Sequence, residues 1–166
     1  MAKIPKKPEE IFEEIIGAYQ KIFGAHLISI ILFGSGAGED YIPGKSDINF
    51  LITLTDQGID RLDSALETVA RWRKRNVAIP LFMTRTFLEG SQDAYPIEFL
   101  NMKRHYVVVF GTDVLGQLVF DPCNIRLQLE RDPNFSALPS IPGRGITVAV
   151  PLLKAAAVAL VVVPYA

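Results

Sequence analysis

Cysteine is almost missing from this chain. The single thiol, Cys123, cannot form an intramolecular disulfide, so a reducing, cytoplasmic setting is expected. It is expected to be a small buried apolar residue. Histidine is nearly as scarce. His26 and His105 flank strand-like segments, and neither sits at a metal-ligand spacing. An excess of either charge is lacking too: 17 Lys+Arg stand against 18 Asp+Glu, a formal net charge of −1. That balance excludes a disordered polyelectrolyte and argues against a broad nucleic-acid-coating surface. The lysines near the N-terminus are followed by Glu9, Glu10, Glu13 and Glu14 instead of an apolar run, so no secretory signal is read there. There is no internal repeat.

Acidic residues vanish after Asp132, and the stretch beyond it holds two bases, Arg144 and Lys154. The chain therefore reads as two unlike pieces: a domain over 1–132 and an appendix over 133–166. Within the appendix, 133–145 is rich in Pro, Ser and Gly, as a loop would be. Residues 146–166 are nearly all apolar. Pro151, Lys154 and Pro164 interrupt them, leaving an uncharged, proline-free run from Ala155 to Val163. About 20 residues are needed to span a membrane, so an anchor is disfavoured. A packed or interface segment and an altered reading frame are the other readings. The mean hydropathy of +0.26 owes much to this segment.

What is present is a core-forming pattern. The 166 residues are 49% hydrophobic, enough for one domain with a sizeable interior. Pro8, Glu9 and Glu10 mark a helix start. Ile11, Phe12, Ile15, Ile16, Tyr19, Ile22 and Phe23 follow at helical spacing, and Gly24 is a stop. The run 26–33 is β-branched and apolar, as in a buried strand. Residues 47–54 form a second strand. Asp47, Asn49, Leu51 and Thr53 lie on one face, with Ile48, Phe50, Ile52 and Leu54 on the other.

A helix is expected over 57–77, with a stripe of Ile59, Leu62, Leu66, Val69 and Trp72. Its basic end, Arg71 to Arg75, reads as a solvated helix terminus. Short strands are expected over 78–84, 95–102 and 106–110, a helical turn over 86–92, and a last helix opening at Asp121-Pro122. The order predicts an α/β (α+β) domain, a mixed β-sheet with flanking helices. The spacing of the first two strands leaves both parallel and antiparallel pairing open.

The stretch from Leu32 to Ile52 carries the chemistry. It contains Gly44-Lys45-Ser46, the end of a Walker-type phosphate loop. That motif needs a glycine with four residues between it and Gly44, and the position holds Glu39. A helix must also follow the Lys-Ser, but here a strand follows. The Walker reading fails.

The same stretch has an apolar strand, Gly34-Ser35, a loop, then Asp47-Ile48-Asn49 between apolar neighbours. Two side chains at i and i+2 of a strand point the same way and can face one cation. A Gly-Ser turn presents N–H groups and a hydroxyl. This pattern resembles the nucleotidyltransferase superfamily of the DNA polymerase β type, over roughly residues 10–130.

The resemblance implies a nucleotidyltransferase-like fold. It also implies transfer of a nucleoside monophosphate from an NTP to a hydroxyl of a small molecule or protein, with magnesium as cofactor. Gly34 and Ser35 would hold phosphate, with Lys45 near the triphosphate. Asp47, Asn49 and Glu98 would stand at the three metal-site positions. Asp47 would act in metal-assisted catalysis, and Glu98, interrupting the apolar segment 95–102, would be the base.

The chain departs from the family at Asn49, where the second acid is an amide. An amide oxygen ligates a hard cation without bringing charge, so metal binding and activity should be weakened. A catalytically inactive binding or regulatory module of the same fold is the alternative. Asp40 and Asp113 read as turn residues. Small bacterial members of the superfamily often supply acceptor binding from a helical C-terminal region. This chain does not resemble them there, which suggests a helical partner protein.

Overall fold

The computed structural model describes residues 4–131, with side chains through residue 126. The proline start opens a 3-10 turn, Pro8–Ile11, which runs into helix α1, Phe12–Phe23. Ile11, Ile15, Tyr19 and Phe23 are four apart and buried in a row, the stripe a helix must bury against a sheet. Gly24 caps α1. Strand β1, Leu27–Phe33, follows. The predicted strand 47–54 is regular over β2, Asn49–Leu54. Ile48 adds a lone parallel bridge to Val77.

The sheet has four strands in the order β3-β2-β1-β4, where β3 is Leu81–Thr84 and β4 is Tyr106–Gly111. β1 pairs antiparallel with both β2 and β4, and β2 pairs parallel with β3. This settles the first connection. The 34–48 segment holds one short 3-10 turn, Gly34–Ala37, rather than a crossover helix, so β1 and β2 run antiparallel. The β2–β3 connection does hold a helix, as a parallel pair requires. The fold is α+β: a mixed sheet with helices on both faces.

Alternation sorts the core into two clusters. Ile30 and Leu32 of β1 and Phe50, Ile52 and Leu54 of β2 face α1, with Trp72 and Phe82. Tyr19, Phe23 and Phe82 meet there, with ring centroids 5.9–6.2 Å apart. Ile31, Phe33 and Leu51 face the other way, onto Leu88, Phe99, Met102 and Leu115. The predicted two-faced pattern of β2 therefore holds.

Four local expectations need correction. Residues 95–102 are not a strand: Tyr95 precedes, and 96–102 belong to, helix α4, Pro96–Arg104. Proline at its first turn presets the helical φ and needs no N–H partner. Phe99 and Met102, three apart, then bury together on the sheet, a spacing that shares one face only in a helix; the short apolar run around them does not by itself separate helix from strand. The helix predicted over 57–77 is a 3-10 segment, Asp56–Ala65, followed by α2, Leu66–Arg73. Leu66, assigned to its apolar stripe, is 57% exposed. Cys123 is exposed rather than buried.

Helix α3, Arg85–Gly90, matches the predicted turn and is capped by Thr84, whose Oγ1 accepts from the Phe87 N–H at 3.0 Å. α5, Pro122–Arg131, matches the last helix. The appendix over 133–166 lies outside the described residues. Among those described, no helix is long and apolar enough to cross a membrane.

Candidate functional site

β1 ends at Phe33, and the chain enters Gly34 with φ +75°. That left-handed conformation suits glycine and strains other residues. The Gly34 N–H donates to the carbonyl of His105 at 3.0 Å, so the turn is tied to the start of β4. Antiparallel register places Phe33 opposite Asn49 on one side and opposite Tyr106 on the other. The Gly-Ser turn therefore sits between the start of β2, with Asp47 and Asn49, and the start of β4, with His105.

The two halves of the sequence motif do meet. A Cβ placed on Gly34 would lie 3.9 Å from Asn49 Nδ2. Asn49 is half-buried, and its Nδ2 donates to the backbone carbonyl of Asp47 at 3.3 Å. That leaves the amide oxygen as the acceptor end of the side chain. Asp47 is exposed, as is Ser35 at the first turn of the 3-10 segment.

Lys45 is exposed in the 39–46 loop. That loop is closed locally: the Lys45 and Ser46 N–H groups donate to the Ile42 carbonyl, and the Ile42 N–H donates to Ser46 Oγ at 3.1 Å. The Ser46 hydroxyl is thus a turn closure. Asp113 is a turn residue as expected, its Oδ1 accepting the Gly116 N–H at 2.8 Å.

Glu98 differs most from expectation. It stands in the first turn of α4, where an acid suits the helix dipole, and it is 3% exposed. It is neither a strand residue nor a water-facing acid. Its helix packs on the sheet face that carries Leu51, two residues on from Asn49, and touches the Gly34–Ala37 turn. α4 thus lies on the sheet face that Leu51 and, by alternation, Asn49 share.

One contributor was invisible in the sequence reading. Asn76 follows α2 with φ +65°, a conformation that asparagine tolerates better than most residues. Its Nδ2 donates to the Ser46 carbonyl at 2.8 Å, and its own carbonyl accepts from the Ile48 N–H at 3.2 Å. Asn76 therefore clamps the backbone on both sides of Asp47. The signal that could have found it is the Asn after a basic helix end, a common left-handed terminator.

As a cation site, the pair Asp47 and Asn49 offers a carboxylate and an amide oxygen, donors that a hard divalent ion accepts. Among the described residues, no group of three or more His, Cys, Asp or Glu side chains is gathered to hold a metal ion. The donor chemistry fits magnesium, with less negative charge than a three-acid site would bring.

The class defined by these features is an α+β protein with a glycine turn at one end of a mixed sheet, beside an Asp-x-Asn strand start. No family model matches the sequence, and no curated protein matches it. Among solved structures, the chain is similar to a spectinomycin adenyltransferase from Enterococcus faecialis, described with ATP and spectinomycin. The identity is 18% and the TM-score 0.49, over 73% of this chain and 64% of that one. The chain thus spans less than two thirds of that protein's length. A likeness of this degree fixes no residue role, substrate or partner.

Proposed function

We propose that the chain is a nucleotidyltransferase-like domain. In this reading it binds a nucleoside triphosphate at the Gly34-Ser35 turn and moves the nucleoside monophosphate to a hydroxyl of a small molecule or protein. One observation carries the reading: the register that sets the Gly34-Ser35 turn against Asn49 and, two residues before it, Asp47. A turn with backbone N–H groups and a hydroxyl beside a carboxylate is what a metal-bound triphosphate requires.

Asp47 and Asn49 are the residues that would hold magnesium, which when bound would neutralise developing phosphate charge. Ser35 would donate its hydroxyl to phosphate, and Lys45 would reach the triphosphate from the loop. Asn76 would keep the Asp47 backbone in place. Glu98 would accept the proton of the attacking hydroxyl. Glu98 is buried in the first turn of α4, so this role requires the attacking hydroxyl to come within hydrogen-bond reach of it there.

Asn49 favours a second reading, a nucleotide-binding or regulatory module without turnover, because one acid of the expected three is replaced by a neutral amide. Calorimetric titration with ATP, GTP, CTP and UTP, with and without magnesium, separates the readings from no function at this site. Magnesium-dependent binding supports the proposal. Absence of binding for all four nucleotides overturns it. Binding without nucleotide consumption, whatever hydroxyl acceptor is offered, favours the module.

A further inference from the structure

We infer that His105 is a phosphate-contacting residue of the proposed nucleotide site. This rests on the nucleotidyltransferase reading and goes beyond it, since the sequence pattern assigns His105 no role. Three observations place it. Its carbonyl holds the Gly34 N–H at 3.0 Å, so its backbone is fixed to the turn. Its ring lies along the same turn: a Cβ on Gly38 would be 3.8 Å from His105 Cγ and Nδ1. The residue is exposed, as is Ser35 on the turn it borders. The exposed imidazole therefore borders the turn from the β4 side, with Asp47 on the β2 side of β1.

The chemistry fits the position. An imidazole has an N–H donor in either tautomer. A donor aimed at a phosphate oxygen makes one of the stronger classes of hydrogen bond. With Asn49 as an amide, the cation site brings less negative charge to the metal, and a side-chain donor to the triphosphate would add to that hold. In the proposed site Ser35 would donate from the turn and Lys45 from the loop before β2, and His105 would add a donor from the β4 side.

The chain has two histidines, and the other is a built-in control. His26 sits before β1, at the far end of that strand from Gly34, with its Nδ1 2.8 Å from Thr55 Oγ1. Imidazole NMR signals of the unchanged protein can therefore be followed while ATP with magnesium is titrated in. Tripolyphosphate and adenosine serve as separate probes.

His105 signals should move with ATP and with tripolyphosphate, while those of His26 stay. His105→Ala should weaken ATP binding about tenfold, and His105→Gln, which keeps an N–H donor, should recover most of the loss. If calorimetry shows ATP binding but the His105 signals do not move, the inference is overturned and the nucleotide site stands. If adenosine moves them as much as ATP does, the contact is not to phosphate and the inference is overturned. If ATP does not bind, the nucleotide reading itself fails, and the inference with it. The NMR arm uses the unchanged chain, so it decides the matter even if a variant does not fold.

Discussion

Tyr19 shows what a single buried group can cost. Its ring completes the aromatic contact with Phe23 and Phe82, yet its hydroxyl has no hydrogen-bond partner among the described residues. Burial pushes its pKa well above the usual value of 10.0, and the nearby Arg71 charge offsets part of the rise. A tyrosine with a raised folded pKa holds its proton more tightly in the folded state. Its contribution to stability is full below pH 10 and is lost as pH rises beyond it. Tyr19→Phe removes an unsatisfied buried hydroxyl, so it should be neutral or stabilising by up to ~1 kcal/mol at pH 7. It should also flatten the alkaline loss. Urea denaturation at pH 7 and pH 10.5 checks both, and a loss of more than ~1 kcal/mol at pH 7 would contradict the account.

Asn76 gives a second residue-scale test. Asn76→Gly keeps the left-handed backbone and loses the bond to the Ser46 carbonyl. Asn76→Ala loses the same bond and adds left-handed strain of about 1 kcal/mol. Alanine should therefore be the less stable variant by about that amount in urea melts; equal stabilities would mean that the positive φ is not held. At Asn49 the expectation is chemical. Asn49→Asp restores a second carboxylate beside Asp47 and should strengthen magnesium-dependent ATP binding about tenfold, the effect of one well-placed charge on a hard-cation site. Unchanged affinity in the titration would show that position 49 does not face the cation.

At the scale of elements, most of the local structure was legible. The four-apart stripe of α1 and the alternation of β2 follow directly from where apolar residues fall, because each face has one thing to pack against. The segment around Glu98 was not. Pro96-Ile-Glu-Phe-Leu-Asn-Met is a short apolar run with one acid, and such a run fits a strand with an outward acid as well as a buried first helical turn. Pro96 was the clue, since it presets φ for a helix start. The 3-10 run over Asp56–Ala65 was equally hidden. Its apolar residues, Leu62 and Ala65 among them, suit either helix type, and the sequence spacing does not separate the tighter helix from the ordinary one.

The end of β4 carries the element-scale prediction. Gly111 has φ +77°, and a Cβ there would overlap the Ile28 carbonyl oxygen of the neighbouring strand. Both backbone strain and a main-chain clash would follow. Gly111→Ala should lose at least ~2 kcal/mol, read as a lowered urea midpoint with an unchanged slope. A variant within about 0.5 kcal/mol of the parent, the ordinary range for an unimportant surface change, would mean the β1–β4 edge is not built this way.

For the whole molecule, the class of fold was readable from element order, and the pairing direction was not. The segment from Gly34 to Ser46 is long enough for both directions, and only the absence of a crossover helix in the folded chain resolves them. That direction matters for function. An antiparallel β1–β2 pair folds the Gly-Ser turn back beside the Asp-x-Asn segment, and two short motifs separated in sequence become neighbours. What the sequence did not reveal is the support around them: the Asn76 clamp, the His105 border and the helical setting of Glu98. These depend on tertiary contacts between segments far apart in the chain, Asn76 with Ser46, His105 with Gly34, and α4 with the Gly34–Ala37 turn.

The central claim is that the turn beside Asp47 is a metal-dependent nucleotide site. Parallel calorimetric titrations of ATP with magnesium into the unchanged chain and into Asp47→Ala test it most directly. Asp47 is exposed, so its replacement should leave the fold intact. Binding to the unchanged chain that falls at least about tenfold in the variant is the predicted result. Binding that survives Asp47→Ala undiminished would contradict the site assigned here.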